Sequence, residues 1–204
     1  MIAYVLEAAR DSALFETIHV STDSQAISHV VTELGFKSDF GRPAELSDDH
    51  TPIMPVLKYV AAEYRRRGQT FDQIWLLMAC APLLEANDLI EAERLFVRSG
   101  GRLPLLAIAE YQAPIEWAFS RKEDGRLRPL HPGMFAVRSQ DLEKRYFDAG
   151  SFVLYPAGEV LSAEGAGTDS NFLGHVVPKY KAIDIDTPDD WKLAEAVYRG
   201  MRGA

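Results

Sequence analysis

The sequence alternates short apolar runs with amphipathic stretches, and this alternation constrains the fold more than any other feature. The runs "QIWLLMACA" (73–81) and "LPLLAIAEY" (103–111) are apolar without a polar alternation, as strands buried on both faces are. Residues 53–67 and 85–98 instead have apolar side chains at helical spacing. Strand and helix recur at intervals of about 30 residues, which predicts βαβ units and a parallel sheet.

The two ends of the chain continue this pattern. Apolar residues at helical spacing predict helices over residues 2–14 and 25–34, and the β-branched stretch "TIHVSTDS" (17–24) predicts a strand between them. Near the C-terminus, "YKAIDID" (180–186) predicts a strand that leads into a helix over residues 188–201. The sequence therefore predicts an α/β fold with a mostly parallel sheet.

Residues 111–176 interrupt the regular alternation. This stretch is richer in Pro, Gly and Arg than its surroundings, and the strand and helix pattern resumes only after it. We interpret it as a lobe or dimerisation arm inserted into a single domain that spans residues 1–204.

Composition and charge argue against several classes of protein. The 204 residues are 47% hydrophobic and 25% charged, as in a globular domain that buries a core. The net charge of −8 argues against a general nucleic-acid binder, which usually has a basic surface. No apolar run approaches the roughly 20 residues that span a bilayer, so we expect no membrane partner, and we expect no signal peptide. The single cysteine, Cys80, has apolar neighbours that indicate a structural thiol in a cytoplasmic protein.

The segment "AIDIDTPDDW" (182–191) has four aspartates within seven positions. Thr187 is a favourable N-cap, and Pro188 suits the first helical position. Asp189 and Asp190 fall in the first turn, where the helix dipole favours anions, and Asp190 is at the capping-box position. Helix initiation therefore accounts for Asp189 and Asp190, but not for the other two aspartates.

Asp184 and Asp186 are two residues apart in a predicted strand. Residues at this spacing share one face, so Ile183 and Ile185 would point to the core and both carboxylates away from it. The carboxyl end of a strand is where open α/β sheets bind ligands, and Mg²⁺ usually takes one or two carboxylates there. The spacing alone leaves two interpretations open, a magnesium site or a solvated strand end.

Five motifs, which occur in order along nearly the whole chain, resemble the CMP-sugar synthetases that activate nonulosonic acids. They are "IAYVLEAARDSALFETIHVSTDSQAI", "GRPAELSDD", "LLMACAPLLEANDL", "VRSQDLEKRYFDAGSF" and "IDIDTPDDW". The run "MACAP" and the "DAG" triplet are similar to the pseudaminic acid branch, whereas "SFVLY" stands where that branch usually has a QFYW-like run. N-acylneuraminate (sialic acid) cytidylyltransferase is the alternative.

The resemblance implies a Rossmann-like nucleotide-diphospho-sugar transferase fold and a homodimer. It also implies a reaction of CTP with a nonulosonic acid that gives CMP-sugar and pyrophosphate. Asp184 and Asp186 match the catalytic Mg²⁺ ligands of the family, and Arg42 matches a nucleotide contact. Asp23 is either a nucleotide-site residue or part of the cap of the following helix, and a surface arginine beside proline is the alternative for Arg42.

Three further residues match sugar-binding positions of the family. Arg138 matches an arginine that reaches into the partner subunit's site, where bidentate pairing with a carboxylate or phosphate favours arginine. Asp148 and Phe152 match positions of the sugar pocket, although Phe152 is equally consistent with a core residue. The family also opens with a strand and a basic, glycine-rich loop, for which this sequence has no counterpart. On that ground we expect weak or no catalysis, and a non-catalytic remnant is the alternative of another class.

Overall fold

Helices and strands alternate along the part of the chain that the computed structural model describes, residues 1–203. The helices are α1 (Ile2–Ser12), α2 (Gln25–Glu33), α3 (Ile53–Arg66), α4 (Ala86–Arg98), α5 (Ala157–Ser162) and α6 (Pro188–Met201). The strands are β1 (Gln73–Leu77), β2 (Leu105–Glu110), β3 (Phe119–Arg121), β4 (Leu127–Pro129), β5 (Tyr146–Pro156) and β6 (Leu173–Val176). The predicted α/β class is confirmed.

The central sheet is mixed, with the strand order β1-β5-β2-β6. β5 pairs antiparallel with β1 and β2, whereas β6 pairs parallel with β2. β1 and β2, which the sequence predicts, run in the same direction as β6, and β5 runs in the other. Two of the three strand pairings are therefore antiparallel, and the sheet is mixed where the sequence predicted a mostly parallel one. β5 is antiparallel because the chain leaves β2 at Glu110 and returns beside it at Tyr146, which is the register partner of Glu110.

Helices cover both faces of the central sheet. α1 and α4 pack on one face, and α3 and α5 pack on the other. Successive residues of β5 alternate between the two cores: Phe152 and Leu154 face α1 and α4, while Val153 and Tyr155 face α3 and α5. Because both faces are covered, ligands have access at the strand ends, which is where such sheets bind them.

Two predicted strands do not form. Residues 17–24 make one isolated bridge, between His19 and Lys37, and residues 182–187 have no regular secondary structure. Within residues 1–203, neither segment pairs with a strand of the central sheet, and β1 is paired along one edge only. An extended, β-branched sequence needs such a partner for its backbone groups, so these segments lie beside the sheet without joining it.

The irregular stretch is divided between the sheet and a separate arm. β5, α5 and β6 all fall within residues 111–176, and both strands belong to the central sheet. Residues 111–145, called the arm below, lie outside that sheet and contain the two-stranded ladder of β3 and β4. In the described part of the chain, no helix combines the length and apolarity that a membrane crossing requires.

Candidate active site

The acidic segment, residues 182–187, lies against the loop that follows β1. The Ile185 amide donates a hydrogen bond to the Cys80 carbonyl at 3.3 Å, which fixes the segment at the carboxyl end of β1. Ile183 is buried and Ile185 is partly buried, whereas Asp184 and Asp186 are exposed. Buried and exposed residues therefore alternate as in the predicted strand, although the segment does not form one. Both carboxylates lie on the exposed side.

The Cys80 thiol lies next to this acidic pair. Burial raises its pKa to about 11, with smaller contributions from a hydrogen bond to Asp184 and from the charge of Asp186. The thiol is thus protonated at neutral pH, so it acts as a donor toward Asp184 and is a poor nucleophile. Cys80 is half-buried, and these surroundings disfavour the thiolate form.

A bulge in β5 reaches Asp184 from the other side. Opposite β2, the register moves from Val153 at Leu106 to Asp148 at Ile108, so β5 has extra residues at this point. Gly150 occupies the bulge with a φ of 63°, a conformation that glycine adopts without steric cost. The Asp148 carboxylate accepts a hydrogen bond from the Gly150 amide at 2.9 Å, which closes the turn.

The donor set at this point suits magnesium. Asp184 and Asp186 offer carboxylate oxygens and are exposed, so water and phosphate oxygens have room to complete a coordination sphere. Within residues 1–203, no group of three or more His, Cys, Asp or Glu side chains is arranged to hold a metal. Such a group would be expected of a structural zinc site, whereas Mg²⁺ with its retained waters needs only one or two carboxylates.

Arg42 and Asp23 lie together at a second position. The Arg42 guanidinium donates to the Ser21 hydroxyl at 3.2 Å and to the Ser21 carbonyl, and the Arg42 amide donates to the Thr22 carbonyl at 3.0 Å. Ser24 is itself the N-cap of α2, with its hydroxyl accepting from the Ile27 amide. Capping therefore does not account for Asp23.

A cavity of about 530 Å³ extends from Asp23 and Arg42 to the loop that follows β1. Its walls are mainly apolar, formed by α1, α3, residues 17–23 and the unpaired edge of β1. Asp23 and Arg42 line it together with Met78 and Ala79, and Ala79 directly precedes Cys80. The candidate nucleotide residues thus line the cavity, whereas Asp184 and Asp186 do not line it and are connected to it through the loop that contains Ala79 and Cys80.

The other two sugar-site candidates are placed differently. Arg138 lies on the arm with 70% of its side chain exposed, and it pairs with Asp141 at 2.8 and 3.1 Å. Phe152 is only 1% exposed and packs between Trp75 and His175, with ring centroids 5.7 and 6.0 Å away. In this structure the Phe152 ring contributes to the core beneath the site, which is the alternative that the sequence also allows.

A buried ion pair supports the acidic segment, and the sequence analysis did not identify it. The Lys181 ammonium contacts both Asp88 oxygens, at 2.8 and 2.9 Å, and also contacts Glu85. Burial lowers the pKa of Lys181, but its hydrogen bonds to Asp88 and Glu85 outweigh this and raise the pKa above its usual value. The sequence shows a lysine three residues before Asp184, but it does not show the partners of that lysine, which lie more than 90 residues away.

The same two acidic residues begin α4. The Glu85 amide donates to Asp88 at 2.9 Å, which forms a capping box with Asp at the position usually held by Glu. At α6, Thr187 and Asp190 form the capping box predicted from the sequence. The aspartate cluster therefore divides as expected, with Asp189 and Asp190 in the first turn of a helix and the other pair before it.

Comparison with known proteins identifies the family. Residues 1–89 match a family model described as cytidylyltransferase. A pseudaminic acid cytidylyltransferase from Campylobacter jejuni subsp. jejuni serotype O:23/36 (strain 81-176) is 32% identical, over 98% of this chain and 85% of the relative. An N-acylneuraminate cytidylyltransferase from Escherichia coli O18:K1:H7 is 26% identical, over 95% of this chain and 45% of the relative.

Solved structures agree with the predicted Rossmann-like fold. A CMP-2-keto-3-deoxy-manno-octonic acid synthetase complexed with CTP has a TM-score of 0.67 at 14% identity, and covers 98% of this chain and 88% of its own. A 4-diphosphocytidyl-2C-methyl-D-erythritol synthase has a TM-score of 0.62 at 13% identity, with 97% and 89% covered. These identities support the fold alone, but the 32% identity across 98% of the chain settles the relationship: the protein belongs to the cytidylyltransferase family.

Proposed function

We propose that this protein transfers CMP from CTP to a pseudaminic acid-like nonulosonic acid and releases pyrophosphate. The observation that carries the proposal is the alignment of 98% of the chain with a pseudaminic acid cytidylyltransferase. The exposed carboxylates of Asp184 and Asp186, and a cavity lined by Arg42 and Asp23, supply groups of suitable chemistry for a metal and a nucleotide. We also propose that the reaction takes place in the cytoplasm, the setting that the single cysteine indicates.

The chemistry requires positioning of a triphosphate against a sugar hydroxyl. The hydroxyl oxygen forms a bond to the α-phosphorus, the bond from that phosphorus to the bridging oxygen breaks, and pyrophosphate leaves while the hydroxyl proton passes to solvent. Asp184 and Asp186 would hold Mg²⁺, which when bound neutralises triphosphate charge and orients the phosphate. Arg42, held by Ser21 and Thr22, would place a fixed positive charge toward the nucleotide.

The choice of sugar is tested by comparing the rates with three sugars. Pseudaminic, N,N'-diacetyllegionaminic and N-acetylneuraminic acids would each be supplied with CTP, and pyrophosphate release would be followed. We expect the highest kcat/KM with pseudaminic acid. The alternative substrate is N-acylneuraminic acid, because "SFVLY" departs from the pseudaminic acid branch, and a higher kcat/KM with that sugar would replace our assignment.

We further propose a homodimer in which the arm of one subunit brings Arg138 to the site of the other. Arg138 is exposed and its fork is already aligned by Asp141, which suits bidentate contact with a carboxylate or phosphate. Within the described part of one subunit, Arg138 is not among the residues that line the cavity.

We expect Arg138→Ala to raise the KM for the sugar about tenfold or more, because one charge-assisted pair contributes roughly that factor, and to leave the KM for CTP unchanged. Arg126→Ala is the matched control, since Arg126 lies on the same arm, is exposed, and also pairs with an aspartate, Asp124. Steady-state kinetics with each substrate varied would measure both constants. An unchanged sugar KM in Arg138→Ala would refute this role.

A further inference from the structure

We infer that Gly150 is a positioning residue for Asp184. This inference rests on the proposed metal role of Asp184. The bulge in β5, closed by Asp148, holds a backbone without a side chain against the Asp184 carboxylate. Because Gly150 has no side chain, the Asp184 carboxylate can occupy the space next to its backbone.

The contact is specific to the carboxylate. A β-carbon built on Gly150 would lie 2.8 Å from Asp184 Oδ2, 3.0 Å from Cγ and 3.1 Å from Cβ. A β-carbon essentially never lies within 3.0 Å of another heavy atom, as it would here from Oδ2, and the two carbon contacts are also tight. A side chain at Gly150 would therefore displace the carboxylate or open the bulge. The φ of 63° adds a second reason for glycine here, because this region disfavours residues with a β-carbon.

The bulge is held in place from both sides. The Asp148 carboxylate accepts from the Gly150 amide at 2.9 Å, and the Ser151 carbonyl accepts from the Met78 amide at 2.9 Å. Met78 begins the loop that also contains Cys80, the other neighbour of Asp184. Asp184 therefore lies between two backbone segments that are bonded to each other, and its rotamer is restricted before any metal arrives.

Gly150→Ala is the test, with Gly101→Ala as the matched control. Gly101 has a φ of 64°, so alanine there carries the same backbone strain, but its neighbour is the Phe96 ring, away from the acidic pair. CTP affinity would be measured by calorimetry with Mg²⁺ and with EDTA. We expect Gly150→Ala to reduce the gain in affinity from Mg²⁺ about 10- to 100-fold, the usual effect of losing a partner that orients a metal ligand, and Gly101→Ala to preserve it.

Thermal stability supplies a second measurement that does not depend on metal. We expect Gly150→Ala to lower the Tm less in an Asp184→Ala background than in the wild type, because alanine at position 184 removes the two closest atoms of the contact.

An equal drop in Tm in both backgrounds, or an unchanged gain in CTP affinity from Mg²⁺ in Gly150→Ala, would overturn the positioning role. If Asp184→Ala keeps the full gain from Mg²⁺, the metal role of Asp184 fails and the inference fails with it. Loss of the gain in Asp184→Ala but not in Gly150→Ala would overturn the inference alone.

Discussion

An Asp186→Ala variant is expected to lose about a thousandfold in CTP turnover, measured as pyrophosphate release at saturating Mg²⁺. A metal that neutralises phosphate charge contributes several kcal/mol to the transition state, and about 4 kcal/mol corresponds to this factor. Asp186 is exposed beside Asp184, so its removal should affect metal binding more than packing. We expect Asp184→Ala to have an effect of similar size.

Asp189→Ala is the control for this prediction. Asp189 lies three residues further along, its side chain is 89% exposed, and it pairs with Lys192 on the surface of α6. Asp189 has the same charge as Asp186 and lies close to it in the sequence, but it belongs to the first turn of α6 and is not a proposed metal ligand. We therefore expect near-normal turnover. Near-normal turnover in both Asp184→Ala and Asp186→Ala would refute the assignment of these carboxylates as metal ligands.

Lys181→Met is expected to lower the free energy of unfolding by about 3–5 kcal/mol, the usual cost of removing one partner from a buried ion pair. Methionine has a similar length, so the chief loss is the charge that faces Asp88. Asp88 is 8% exposed and would remain as a buried carboxylate without its cation. Urea denaturation followed by fluorescence would measure the change.

Lys192→Met provides the comparison for Lys181. Lys192 pairs with Asp189 at the same 2.8 Å that separates Lys181 from Asp88, but both residues of the Lys192–Asp189 pair are exposed. Exposed pairs contribute at most about 1 kcal/mol, so this variant should unfold almost as the wild type does. Equal effects in the two variants would show that burial of the Lys181 pair does not govern its contribution.

Local features could be predicted well from the sequence. The helix that begins at Thr187 forms with the predicted capping box, because all the groups that start it lie within four residues. The separation of Asp184 and Asp186 from that helix was also predictable, because alternate burial survives in the irregular segment that contains them. Such signals depend on neighbouring residues alone.

Features that depend on distant partners could not be predicted in this way. β5 takes a place between β1 and β2 that its own sequence does not specify, and the predicted strand over residues 17–24 finds no ladder. The contacts of Gly150 with Asp184 and of Lys181 with Asp88 each join residues far apart in the chain. Their positions follow from the sheet topology, which periodicity leaves undetermined.

The proposed reaction is tested most directly by phosphorus NMR of the protein with CTP, Mg²⁺ and pseudaminic acid. Because the sequence analysis expects weak catalysis, we expect the CTP resonances to be replaced slowly by equal amounts of a CMP-sugar phosphodiester and pyrophosphate, and EDTA to prevent this. CTP that stays unchanged with pseudaminic, legionaminic and neuraminic acids alike, or pyrophosphate that appears without a CMP-sugar, would contradict the proposed cytidylyl transfer.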